Sequence, residues 1–241
     1  SYPKRIEIIY STLCNHNCIM CRQNHRDNKH INDSIIKNQI DWEKLECILL
    51  IGGETFADKN AKKFFLFLIQ VKKKKVHLIT NVSLLDSGWH YDLLKGCNSI
   101  EISVNASTDD IYNIVHQRPY FKKVIHHLKM LISEKKRINS EAEVRYKYTI
   151  VKENLQDIPG ALELANQLGC DAIIFGYAAN SISPQLLKKH LNSSRLTLKR
   201  KIENIINDQN FNIRINKGHL QKLGLCDLKF IHNPNIFEEM Y

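Results

Sequence analysis

The sequence predicts an α/β protein, a partial (β/α)6 open barrel with a short irregular C-terminal extension. Three observations lead there. Apolar runs of about five residues, which suit parallel strands covered by helices, recur along the first three-quarters of the 241-residue chain. Between them lie stretches with helical spacing, so strand follows helix as in successive βα units with right-handed crossovers. Two of the strands alternate apolar and polar residues. If outer helices cover the apolar face, Glu101, Ser103, Asn105, Glu143, Arg145, Lys147 and Thr149 point inward. A filled barrel core carries bulky aliphatic residues at such positions, so a polar lining predicts a barrel that holds a polar ligand.

Taken in order, Ile6–Tyr10 is a first strand and leads into a loop that contains Cys14, Cys18 and Cys21. Residues 24–38 are polar and read as a loop with one irregular helix. Cys47–Ile51 is an unbroken apolar strand that ends in Gly52-Gly53-Glu54-Thr55. Ala61–Val71 carries Phe64, Phe65, Phe67, Leu68 and Ile69, the broad apolar face of a helix. Val76–Thr80 is a third strand, ending at Asn81, and Trp89–Lys95 a short helix stopped by Gly96. Ile100–Asn105 alternates as a fourth strand. After Arg118-Pro119, residues Phe121, Val124, Ile125, Leu128, Leu131 and Ile132 recur in steps of three and four, a long helix. Ala142–Val151 alternates again, Ile158–Leu168 is a helix closed by Gly169, and Ala172–Phe175 is the sixth strand. Beyond Asn180 the pattern changes to a loop, a basic helix near Leu196–Ile206, an extended piece at Phe211–Ile215 and an irregular tail. The expected division is a core over 1–180 and an extension over 181–241.

Composition narrows the class. An apolar fraction of 43% suffices for one buried core. No run of about 18 apolar residues exists to span a membrane, and Ser1–Arg5 passes into a strand without a signal peptide. Seven cysteines, only three of them clustered, do not make a secreted disulfide framework, which points to reducing cytoplasm. The formal charge of +10 invites an acidic partner, but the Lys72–Lys75 run sits at a helix end, where cations oppose the macrodipole favourably. No basic stripe with interleaved aromatics appears, so nucleic acid is not the expected partner.

The chemistry concentrates in Cys14-Asn15-His16-Asn17-Cys18-Ile19-Met20-Cys21. A structural zinc takes four protein ligands, and His16 or His25 leaves a Cys3His site open. A 4Fe–4S cluster normally takes four thiolates, and three leave one iron open for a ligand that is not protein. An open metal position marks a working site. Gly52-Gly53-Glu54, read structurally, is a turn into a helix capped near Thr55 or Asp58. Ser103 and Asn105 end a strand before turn-forming residues and a helix cap at Ser107 or Thr108.

The spacing Cys-x3-Cys-x2-Cys after the first strand, with Gly-Gly-Glu at the end of the second, resembles the radical S-adenosylmethionine (SAM) superfamily over about the first three-quarters of the chain. Asn15 and Met20 make the loop similar to the subgroup with C-terminal SPASM or twitch domains. Met20 stands where many members carry an aromatic residue, a substitution that touches local packing, since Met is an adaptable apolar filler.

The resemblance implies one 4Fe–4S cluster held by Cys14, Cys18 and Cys21, with SAM on the open iron. It implies that Gly52, Gly53 and Glu54 receive the SAM ammonium and that Ser103 and Asn105 receive the ribose. Arg118, Arg145 and Lys147 are then candidates for the SAM carboxylate, because a guanidinium grips a carboxylate in two-pronged fashion, and Phe175 or Tyr177 for adenine. Cys226, in Gly224-Leu225-Cys226-Asp227, resembles the opening of an auxiliary-cluster region, but no later cysteine follows. One cluster and no auxiliary one is therefore expected, as in a trimmed relative. The activity implied is reductive SAM cleavage and hydrogen abstraction, anaerobic, with flavodoxin or ferredoxin as electron donor. The SPASM-like loop favours a peptide or protein substrate, with a sugar or other small metabolite next. The rival classes are a SAM- or cluster-binding protein without turnover and a zinc-bearing nucleic-acid binder.

Overall fold

The computed structural model describes residues 2–23, 29–86, 88–177, 184–191, 194–216, 218–226 and 237–238. His25, Asp227 and most of the expected tail lie outside the described residues. Strand order follows chain order within each of the chain's two compact units. The chain groups into two compact units, residues 1–17, 22–102 and 123–144 in the first and 18–21, 103–122 and 145–241 in the second.

In the first unit, β1 (Arg5–Ile9), β2 (Cys47–Ile51), β3 (Val76–Thr80) and most of β4 (Cys97–Ser103) run parallel. Ile48, Leu50, Val76, Leu78, Ile100 and Ile102 are all buried, as expected of strands covered by helices. α1 (Asp33–Gln39) occupies the stretch read as a loop with an irregular helix. It is nucleated by Asn32, whose side chain accepts the N–H groups of Ser34 and Ile35. α2 (Lys59–Leu66) begins at Asp58, which accepts the Asn60 N–H at 2.8 Å. It continues as a π-helical turn over Phe67–Val71, so the predicted helix holds with a wider last turn. Phe64 and Phe65 are fully buried, and Phe65 and Phe56 meet Trp89 at the start of α3 (Trp89–Gly96). Gly96 leaves room for Ile69, whose side chain a Cβ there would strike at 2.6 Å.

The second unit holds α4 (Asp109–His116), nearly all of β5 (Glu143–Ile150), α6 (Ile158–Leu168), β6 (Ala172–Tyr177), α7 (Pro184–Leu191), α8 (Arg195–Ile206), β7 (Arg214–Asn216), α9 (Gly218–Lys222) and β8 (Phe237–Glu238). α5 (Phe121–Ile138) starts here and runs on in the first unit. β5 alternates as expected: Val144, Tyr146, Tyr148 and Ile150 are fully buried, while Glu143, Arg145, Lys147 and Thr149 are half-buried. α6 matches its predicted bounds, closed by Gly169 in the left-handed conformation at φ 78°. α4 begins where the sequence places a helix cap at Ser107 or Thr108, and α7 is a helix where it reads loop. Thr108 caps α4 by accepting the Ile111 N–H, and Asp109 and Asp110 favour its first turn.

Candidate functional site

The site is built from strand C-terminal ends and the cysteine loop. In the first unit, the loop enters against Gly-Gly-Glu. The Gly53 N–H donates to the Ser11 carbonyl and the Glu54 N–H to the Leu13 carbonyl, each at 2.7 Å. A Cβ on Gly53 would lie 1.9 Å from that Leu13 oxygen, and one on Gly52, at φ 132°, 2.7 Å from the Ser11 oxygen. Both glycines are therefore required by the close approach of the two backbones.

Glu54 is 2% exposed. Its Oε1 accepts the Phe56 N–H at 3.1 Å and the Thr80 hydroxyl at 2.7 Å, and its Oε2 accepts the Asn81 N–H at 2.7 Å. Burial pushes its pKa up, and these three donors pull it part of the way back. Its carboxylate is thus occupied within the chain. Asn81, which the sequence marks only as a strand end, passes the network on. Its Nδ2 donates to Asn15 Oδ1 at 3.1 Å and lies 3.9 Å from Cys14 Sγ, and its Oδ1 accepts from the backbone and hydroxyl of Ser83. Asn15 in turn donates to the Ser83 hydroxyl at 2.8 Å. The His16 N–H donates to Cys14 Sγ at 3.4 Å.

In the second unit, Cys18–Cys21 forms a tight turn, with the Cys21 N–H donating to the Cys18 carbonyl at 3.0 Å. The Ile19 N–H donates to the Val115 carbonyl of α4 at 2.9 Å. Met20 packs with Ile111 on Val115 and Val151, the role of apolar filler that its position suggests. Cys18 Sγ lies 3.1 Å from Nδ1 of His116, a ring 1% exposed. Cys14 and Cys18 are half-buried and Cys21 is exposed.

Asn105 is a structural hub at φ 57°. Its Oδ1 accepts the Thr149 N–H at 2.6 Å, its carbonyl accepts Asn154 Nδ2 at 3.0 Å, and its Nδ2 is 3.2 Å from His116 Nε2. At 2% exposure it offers a ligand little. Ser103, on the same strand end, is half-buried. Ser107 donates through its backbone to Asp157 at 2.7 Å and through its hydroxyl to the same carboxylate, so it braces α6 while Thr108 caps α4.

Arg145 and Lys147 are half-buried on the face of β5 opposite Tyr146 and Tyr148. The register Lys147↔Ile174, Tyr148↔Phe175, Thr149↔Gly176 places Phe175 beside Tyr148 on the helix-covered face. The two rings lie 5.6 Å apart and Phe175 is 1% exposed. Ile174 and Gly176 share the Lys147 face, and a Cβ on Gly176 would meet nothing within 4 Å. Tyr177 donates to the His219 carbonyl at 2.5 Å. Arg118 is exposed and donates to the Gln117 carbonyl at 3.1 Å.

Among the described residues, no three His, Cys, Asp or Glu side chains converge as on a single ion. Thiolates of a 4Fe–4S cluster bind three different irons and do not converge on one point. Three cysteines on one short loop, a Cys14 sulfur that faces N–H groups and a glycine-lined entry to the loop are a donor set that fits such a cluster. Cys226, the candidate opening of an auxiliary region, is buried at 5% exposure, and Cys97 and Cys170 are buried too.

The family model described as the Radical SAM superfamily matches residues 8–165. No curated protein matches in sequence. Solved structures are similar in fold. SuiB of Streptococcus suis bound to S-adenosylmethionine has a TM-score of 0.66 at 14% identity, over 89% of this chain and 47% of that one. The protein anSMEcpe with bound AdoMet has a TM-score of 0.62 at 16% identity, over 88% and 62%. Methylornithine synthase PylB has a TM-score of 0.61 at 14% identity, over 92% and 67%. The likeness shows the expected α/β partial barrel, and the chain spans about half the length of SuiB.

Proposed function

We propose that this chain, which belongs to the radical SAM superfamily, is an enzyme that holds one 4Fe–4S cluster on Cys14, Cys18 and Cys21 and binds SAM at its strand ends. The observation that carries the reading is the Gly52-Gly53-Glu54 corner, where two glycines seat the cysteine loop and Glu54 locks Asn81 beneath Asn15 and Cys14. When bound, the cluster and SAM supply an electron and a 5′-deoxyadenosyl radical that takes a hydrogen atom from substrate.

The chain's own residues bind, orient and exclude. The Glu54 carboxylate already accepts three hydrogen bonds, so the SAM ammonium falls to carbonyl oxygens at the Gly52–Gly53 strand end, with Glu54 shaping that corner. Lys147 and Arg145 supply positive charge for the SAM carboxylate on the polar face of β5, and Ser103 supplies a hydroxyl for the ribose. Adenine fits the Ile174–Gly176 side of β6, where Ile174 is apolar and Gly176 leaves space, rather than Phe175. Asn105 and Arg118 then act away from SAM, the first within the fold and the second at the surface.

SuiB is seen with a precursor peptide and anSMEcpe with the Cp18Cys peptide, which together with the SPASM-like loop supports a peptide or protein substrate. A flavodoxin or ferredoxin is the fitting electron donor, and a reducing cytoplasm the fitting compartment. The second reading is a small metabolite, on the likeness to methylornithine synthase. Anaerobic reconstitution, reduction in the presence of SAM and assay for 5′-deoxyadenosine test the proposal. Fully loaded protein that yields none would refute turnover.

A further inference from the structure

We propose that His116 is a positioning residue of the cluster, directing an Nδ1–H at the sulfur of Cys18 and so fixing that ligand's orientation and its share of the cluster's charge. The inference rests on the cluster reading above and adds a residue that neither the loop spacing nor the Gly-Gly-Glu corner contains.

The geometry is closed around the ring. His116 ends α4, stacks on Tyr112 with centroids 4.2 Å apart, and is 1% exposed. The same helix holds the loop's backbone through Ile19 and its apolar side through Met20. Nδ1 is 3.1 Å from Cys18 Sγ. Nε2 is 2.9 Å from the Val104 carbonyl oxygen and 3.2 Å from Asn105 Nδ2. The Asn105 amide cannot turn freely, because its Oδ1 already accepts the Thr149 N–H at 2.6 Å. The far nitrogen of the ring therefore faces both an acceptor and a donor.

That double provision matches the two states of a ligand cysteine. As a thiol, Cys18 donates S–H to Nδ1, and Nε2–H donates to Val104. On binding iron, the sulfur loses its proton to solvent and can only accept. The ring then serves it with the proton on Nδ1 while Nε2 accepts from Asn105. Nε2 then exchanges the Val104 carbonyl, 2.9 Å away, for Asn105 Nδ2 at 3.2 Å, a slight turn of the ring off that oxygen. A histidine that merely filled the core needs one partner per nitrogen and no sulfur. Hydrogen bonds to cluster sulfurs help set reduction potential, because they favour the more electron-rich reduced state.

The test uses the full chain labelled with histidine carrying 15N in the ring only, which leaves the His16 backbone N–H at Cys14 silent, reconstituted anaerobically, reduced and examined by pulsed EPR, together with an EPR-monitored redox titration. Expected is a histidine nitrogen coupled to the cluster spin, lost in His116→Asn with unlabelled asparagine. The midpoint potential falls in His116→Leu and recovers toward wild type in His116→Asn, whose amide can place an N–H near the Nδ1 position. A loaded wild-type cluster with no histidine coupling overturns the proposal and leaves the cluster reading standing. So does a His116→Leu potential equal to wild type. Wild-type protein that takes up no iron overturns both. Should His116→Leu fail to fold, the ring-labelled wild type set against His116→Asn decides, and a coupling that persists in that variant belongs to another histidine and overturns the proposal.

Discussion

Glu54 Oε2 accepts the backbone N–H of Asn81 at 2.7 Å, joining the end of the second strand to the end of the third at a point with almost no access to water. Removing that acceptor strands buried donors, each at about 1–3 kcal/mol. Glu54→Ala is therefore expected to lose about 2–4 kcal/mol in urea unfolding, counting Thr80 and Asn81. Glu54→Gln keeps one acceptor oxygen and sheds a buried charge but sets an NH2 against the donors of the other oxygen, so it should lose about 1–3 kcal/mol, less than Glu54→Ala. Equal losses in the two variants would show that the carboxylate does not act through these bonds.

Gly53→Ala sets a methyl group against the Leu13 carbonyl, 1.9 Å away before relaxation. The loop has to shift, at a cost of about 1–3 kcal/mol or more. Iron uptake on reconstitution should fall severalfold relative to wild type. Uptake at the wild-type level would show that the loop seat is not needed for the cluster.

Cys14→Ala, Cys18→Ala and Cys21→Ala should each abolish the brown colour and iron content of reconstituted protein. Cys226→Ala should retain one cluster's worth of iron. Loss of half the iron in Cys226→Ala would reveal a second cluster and refute the single-cluster reading.

Lys147→Met should weaken SAM binding about tenfold, roughly 1.4 kcal/mol, with Arg118→Met near wild type. Calorimetric titration of SAM into loaded protein measures both. The reverse ranking would move the carboxylate site to Arg118.

Burial, then the neighbouring His90, His126 and Lys123, lower the pKa of His127 from about 6.5 to about 4, with Asp86 opposing. The folded state holds this ring neutral, so its stabilising share is full above the unfolded value of about 6.5 and is lost as pH falls toward 4. Urea midpoints should drop across that window, by on the order of 2 kcal/mol in unfolding free energy. His127→Leu should flatten the drop, and an unchanged slope would assign it to other groups.

Much of the fold is legible because its elements carry their own punctuation. Ile158–Leu168 is announced by helical spacing and stopped by Gly169, and the alternation of β5 states which face is buried. α4 is legible only at its start, where Thr108 reads as a cap, because the eight residues behind it are too short a run to declare a helical period. The face of Phe175 is equally hidden. β6 is apolar through Phe175, so no alternation separates its sides, and only pairing with β5 shows that Phe175 shares Tyr148's side. The motifs Cys-x3-Cys-x2-Cys and Gly-Gly-Glu stand out locally, whereas Asn81 and His116 reach Glu54 and Cys18 across 27 and 98 residues. Such partners leave no periodic trace, because they are chosen by strand ends that meet in space.

Gly176 turns the Ile174 side of β6 into a graduated ruler. Its missing side chain points into emptiness beside Thr149, so alanine, valine and leucine there would advance stepwise into one void while every backbone hydrogen bond of the rung stays in place. If SAM lies there, as proposed, the length at which its nucleoside is first refused would report the thickness of its slot, and no refusal at any length would place the nucleoside elsewhere.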